Sequence, residues 1–121
     1  MPLVRIDMSD DIDYEQQNAI SDGINAGLVE AIDMPEKDRF QIFTRHPARE
    51  LVFDLSFPGG VEREKIVYLE ILISRGQSDE SKRRIARCIN SELVKCGIRK
   101  DDVFIAMTEN GGADWSAGIV S

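Results

Sequence analysis

The second residue of the chain is a proline placed directly after Met1. Methionine aminopeptidase removes an initiator methionine when a small residue such as proline follows. The mature chain is therefore expected to begin at Pro2 with a free secondary amine. An α-amino group ordinarily titrates at about 7.7–8.0, so such an amine serves as base or acid near neutrality with little tuning. While Met1 stays attached, the same nitrogen is an amide and offers no base. Few other groups compete for chemistry. His46 is the only histidine, which leaves no nucleophilic triad and no typical zinc ligand set, and it reads as a loop or rim residue. Gly59-Gly60 and Gly111-Gly112 lack the lysine and the helix that a phosphate loop requires. Neither a metal nor a cofactor is expected.

A proline amine can act only if a strand or helix holds it. Residues 3–8 alternate Leu, Arg and Asp with Val, Ile and Met, a strand pattern that begins next to Pro2. Asp13 can cap a helix, with Gln16 as its capping-box partner. Ile20, Ile24, Leu28 and Ala31 follow at helical spacing, with Gly23 and Gly27 near the same face. Pro35 ends that helix at or before Met34, and residues 39–45 read as a second strand. Residues 46–64 hold Pro47, Pro58, Gly59 and Gly60 and form the long connection, with a short strand expected at 51–55. Residues 66–74 are nearly all apolar, as a strand covered on both faces would be. Ser78 caps a second helix whose apolar face is Ile85, Cys88, Ile89, Leu93 and Cys96, and Gly97 stands where a C-terminal glycine belongs. Lys82, Arg83, Arg84 and Arg87 on this helix read as a solvated face. Residues 103–108 make a strand, and Asn110-Gly111-Gly112 a turn. The tail beyond it adds an edge strand or covers a neighbouring surface.

The two halves repeat. Ile24-Asn25 and Leu28-Val29 match Ile89-Asn90 and Leu93-Val94, and Lys37-Asp38-Arg39-Phe40 matches Asp101-Asp102-Val103-Phe104. Each half reads strand, helix, strand, and such a unit normally makes a parallel crossover. The expected class is α+β in a two-layer arrangement: two tandem βαβ units giving a four-stranded mixed sheet with two helices on one face. One domain is expected over 1–121, with a first unit at 1–45, the connection at 46–64, a second unit at 65–110 and a tail at 111–121. The far face of the sheet would be bare, and the simplest cover is another copy of the chain.

Composition agrees with one soluble domain: 121 residues, 42% hydrophobic and 31% charged. The formal charge of −7 argues against nucleic acid and against an anionic membrane surface as partners. No apolar run of about 18 residues exists to span a bilayer, and the first residues are no signal peptide. Cys88 and Cys96 on one helix would stand about 12 Å apart along its axis. A disulfide needs Cα atoms within about 7 Å, so two unpaired, buried thiols and a cytoplasmic location are expected.

These features together resemble the tautomerase superfamily, which includes 4-oxalocrotonate tautomerase and macrophage migration inhibitory factor. The likeness is greatest to the malonate semialdehyde decarboxylase branch and covers nearly the whole chain. It is carried by Pro2-Leu3 with Asp7, by the run from Met34 through Pro35-Glu36-Lys37-Asp38-Arg39-Phe40-Gln41 to Ile42, by Ser74-Arg75, and by Asp114-Trp115-Ser116. The resemblance implies that Pro2 is the catalytic amine and that Asp38 assists it or orients water. It implies that Arg75 grips a substrate carboxylate and that Trp115 walls the pocket. It also implies a homotrimer acting on a small-molecule carboxylate. Gln77 stands where the decarboxylase has its second arginine, and would offer a neutral hydrogen bond to substrate. Ala117 replaces an aromatic, and the sequence ends at Ser121, short of a tail that helps close the relative's pocket. The first expectation is accordingly a tautomerase moving a proton next to the carbonyl of a 2-oxo acid or its enol. The alternatives are a malonate semialdehyde decarboxylase-like decarboxylase or hydratase, and a non-catalytic trimeric binding module on the same fold.

Overall fold

A computed structural model describes residues 2–118. The order is β1 (Leu3–Ser9), α1 (Tyr14–Ile32), β2 (Gln41–His46), β3 (Val67–Ser74), α2 (Asp79–Lys95) and β4 (Val103–Asn110). The sheet runs β2-β1-β3-β4. The β1/β2 and β3/β4 pairs are parallel, and β1/β3 is antiparallel. This is the two-unit, four-stranded mixed sheet expected from the repeat, the two units meeting along β1 and β3. Among the described residues no helix is long and apolar enough to cross a membrane.

Both helices begin where a side chain satisfies an orphan backbone N–H. The Asp13 carboxylate accepts from Gln16 N–H at 2.8 Å, and Ser78 Oγ accepts from Ser81 N–H at 3.0 Å. Gln16 does not return the bond as a capping-box partner. Its side-chain amide donates instead to Cys96 O at 3.2 Å, tying the start of α1 to the end of α2. The first helix stops at Asp33, which takes φ 53° and ψ 37° just ahead of Pro35. Gly97 beyond α2 has φ 91°, a conformation glycine adopts without a Cβ penalty.

One core fills the space between helices and sheet. Val4, Ile6, Met8, Val67, Leu69, Ile71 and Ile73 point into it from the strands, and Ile20, Ile24, Leu28, Ile85, Ile89 and Leu93 from the helices. The helices meet at Gly27, where a Cβ would stand 2.8 Å from both the backbone N and the Cα of Ile89. Lys82 pairs with Glu109 of β4, and Arg84 donates to Glu30 O at 3.2 Å. The basic run thus anchors α2 at two points, beyond the solvated face expected of it.

The connection departs from expectation. Residues 51–55 form no strand. Leu51 and Phe53 are half-buried while Val52 is 89% exposed, so the alternation is real but has no strand beside it. Asp54 turns the backbone away: its carboxylate accepts the N–H groups of Ser56 and Phe57 at 2.9 and 2.8 Å. Those bonds, that of Ser56 first, hold the Asp54 carboxyl below its usual range. Arg63 closes the loop, donating from Nη1 to Asp54 O at 2.8 Å. Phe53 packs on Tyr68 and Phe104, with ring centroids 6.0 and 5.5 Å away. Tyr68 and Phe104 alternate with core residues of β3 and β4, so they lie on the sheet face away from the helices. That face is therefore partly roofed by the chain's own connection rather than wholly bare. At the edge strand β2, Ile42 and the preceding Phe40 are still 42% and 45% exposed.

Both cysteines are free, as expected, but half-buried rather than fully buried. Burial pushes the Cys96 thiol up from its ordinary value, and its Sγ–H donates to Leu93 O at 3.2 Å. A raised thiol pKa means less thiolate. Iodoacetamide at pH about 8 is expected to label Cys96 more slowly than free cysteine, as read by peptide mass spectrometry.

Candidate active site

The strand directions decide what meets Pro2. Because β2 runs parallel to β1, both begin at the same end of the sheet. Because β3 runs antiparallel to β1, it finishes there, and β4 finishes beside it. One end of the sheet therefore gathers Pro2, the turn before β2 with Asp38, the residues after β3 with Arg75, and the segment after β4 that leads to Trp115. Asp38 precedes the strand on one side of β1 and Arg75 follows the strand on the other, while Trp115 follows the strand beyond that.

Each position has a local cause. Pro2 is buried and precedes Leu3, which pairs with Leu72, and Val4, whose N–H donates to Phe40 O at 3.0 Å. A proline at the head of a strand removes no ladder bond. Asp38 is half-buried, its N–H donating to Pro35 O at 2.9 Å to close the turn into β2. Arg75 is exposed, and its N–H donates to Asn110 O at 2.7 Å, so the end of β4 fixes the backbone of this residue. The neighbouring Arg39 is already engaged, with Nη1 2.7 Å from the Asp22 carboxylate on α1. No ion pair joins Arg75 to any of the described residues, which leaves its guanidinium able to take an outside anion bidentately.

Gln77 turns partly aside. Its side-chain oxygen accepts from Ser81 Oγ in the first turn of α2, leaving the amide NH2 for any substrate contact. Trp115 is half-buried after a short 3-10 turn, Gly112–Asp114. Among the described residues its buried indole N–H finds no partner, and neither does the buried side-chain oxygen of Asn110. Asn110 is the last residue of β4 rather than the start of a turn. Sequence reasoning passed over it and Gly111 as a site-lining pair, since nothing in the sequence separates a strand-end Asn-Gly from an ordinary turn. His46 ends β2 and lies 2.7 Å from Asp7 through Nε2, at the far end of the sheet from Pro2.

A model of the tautomerase enzyme family matches residues 38–118 of this sequence. The chain belongs to the tautomerase family. Among its relatives, Probable tautomerase YrdN of Bacillus subtilis (strain 168) is 31% identical over 120 residues, covering 98% of this chain and 92% of YrdN. Among solved structures, FG41 malonate semialdehyde decarboxylase inhibited by 3-bromopropiolate superposes with a TM-score of 0.91. It is 37% identical, and the match covers 98% of this chain and 91% of that one. A second malonate semialdehyde decarboxylase, described with decarboxylase and hydratase activities, gives a TM-score of 0.89 at 31% identity over 97% and 91% of the two chains. The tautomerase fold and the proximity to the malonate semialdehyde decarboxylase branch are thus both borne out.

Proposed function

We propose that this tautomerase-family chain is an enzyme whose Pro2 amine, freed by removal of Met1, transfers a proton next to the carbonyl of a 2-oxo acid or its enol. The observation that carries the reading is a buried proline heading a central strand, with an arginine following the adjacent one that pairs with no acid among the described residues. In this mechanism Arg75 pairs with the substrate carboxylate and draws electron density toward the enol. Neutral Pro2 takes the proton from the carbon next to the carbonyl, and the resulting ammonium returns a proton to the enolate oxygen, so the reaction is an isomerisation. Going the other way, the enol oxygen gives up its proton and the carbon regains one. Burial disfavours the charged amine, and so does the Arg75 charge nearby; the Asp38 carboxylate favours it. The balance among these three decides whether Pro2 works as base or as acid. Trp115 walls the pocket, and a homotrimer covers the exposed Phe40 and Ile42 of the open sheet face. The reading is tested by enol–keto conversion of phenylpyruvate, using protein shown by mass to lack Met1, beside Pro2→Ala. Turnover that collapses in Pro2→Ala supports it, and equal turnover in both refutes it.

The 37% identity to FG41 malonate semialdehyde decarboxylase favours a second reading, decarboxylation or hydration. Decarboxylation asks for a firm grip on the departing carboxylate, which a second guanidinium gives better than an amide. Gln77→Arg is expected to raise turnover of malonate semialdehyde by about tenfold, the size of one good charge-assisted contact. Carbon dioxide release measures it, and no gain would show that Gln77 does not limit that reaction. If neither activity is found, the fold serves as a trimeric binding module.

A further inference from the structure

We propose that Gly111 and Asp114 are positioning residues that set the Arg75 guanidinium for the substrate carboxylate, an inference that rests on the carboxylate-binding role proposed for Arg75. A Cβ added at Gly111 would lie 3.2 Å from Arg75 Nη1 and 3.8 Å from its Cζ. The guanidinium therefore lies directly against the glycine. Gly111 has φ −94° and ψ 171°, extended backbone that any residue adopts. The glycine is thus not demanded by the chain's own conformation, and what it supplies is room for Arg75.

Asp114 holds that shelf in shape. Its Oδ2 accepts from Gly111 N–H at 2.7 Å, while its own N–H donates to Gly111 O at 3.1 Å. The same Oδ2 would stand 3.6 Å from the added Cβ, so carboxylate and guanidinium share one side of Gly111. No ion pair joins the two among the described residues, and Oδ2 gives one acceptor site to the backbone. Arg75 is tied a second time by its N–H to Asn110 O at 2.7 Å. Backbone and side chain of Arg75 thus both rest on the end of β4, with the charge kept near an acid but not cancelled by it. Valine at 111 would fill the guanidinium's place without straining the backbone, and a displacement of about 1 Å in such a clamp costs up to about a hundredfold.

The test follows alkylation of Pro2 by 3-bromopropiolate, which carries a carboxylate, and by its neutral methyl ester. The full chain, shown to lack Met1, is used, and intact-mass spectrometry gives the second-order rates. The expected result is that Gly111→Val slows labelling by the acid about tenfold and leaves the ester rate unchanged. Asp114→Ala is expected to slow the acid to a smaller degree, and Asp114→Asn, which keeps an acceptor for Gly111 N–H, to restore it. Should Gly111→Val melt early, Gly111→Ala decides, since its single methyl displaces only the flexible end of Arg75. If Arg75→Gln slows the acid but the Gly111 and Asp114 variants label like wild type, the positioning inference is overturned and the role of Arg75 stands. If Arg75→Gln leaves the acid rate unchanged, or the acid does not label Pro2 in wild type, the role of Arg75 fails and the inference falls with it.

Discussion

Gly27→Ala is expected to destabilise the fold by about 2 kcal/mol, the usual scale for overpacking a filled core, and to lower Tm by about 8 °C for a chain of this size. The added methyl would meet the Ile89 backbone at 2.8 Å, and backbone cannot rotate away as a side chain can. The two helices would have to part, loosening Ile24, Leu28, Ile85 and Ile89 together. Gly23→Ala is the internal control. Its Cβ would find Glu92 Cβ and Leu93 Cδ2 at 3.4 Å and the Glu92 carbonyl carbon at 3.6 Å, ordinary van der Waals contact that asks no backbone to move. Alanine also favours a helix interior by about 1 kcal/mol over glycine, so Gly23→Ala is expected to be neutral or mildly stabilising. Thermal melts of both variants at one protein concentration measure the contrast, which matters because assembly would shift Tm by mass action. Equal melting of the two would mean that the helices do not meet at Gly27.

The largest effect on activity is expected at Pro2. General base catalysis contributes about 10²–10⁴-fold, so loss of the amine should cost kcat/KM by that order. A base works only when neutral, and the rate is expected to climb with pH up to about 8, the ordinary range of an α-amino group. Asp38→Asn removes a negative charge that favours the ammonium form. The rising limb should then move to lower pH. A rate that instead falls as pH rises through this range would make Pro2 the acid of the decarboxylase reading.

Much of this was legible in the residues. Asp13 and Ser78 announce their helices because capping is local chemistry. The match of Ile24-Asn25 to Ile89-Asn90 announces two like units, and parallel pairing within each follows from the crossover. The end of the sheet at which Pro2, Asp38 and Arg75 gather then follows from strand directions alone. What escaped depends on distant partners. Residues 51–55 alternate like a strand, yet they join neither edge of the sheet, and the Asp54 carboxylate folds the backbone on itself. Gln16 looked like a capping-box residue, yet its amide reached Cys96, eighty positions away. Gly111 looked like a turn glycine, and only the neighbouring end of β3 reveals that it lies against Arg75.

The central claim is that the Pro2 amine is the catalyst, and one comparison tests it most directly. The kcat/KM for phenylpyruvate is measured on chain shown by mass to begin at Pro2, and on the same chain carrying one extra, uncleaved residue before it. The extension changes no side chain and turns the amine into an amide. The account predicts a loss of about a hundredfold or more in the extended form. Equal activity in the two forms would contradict it.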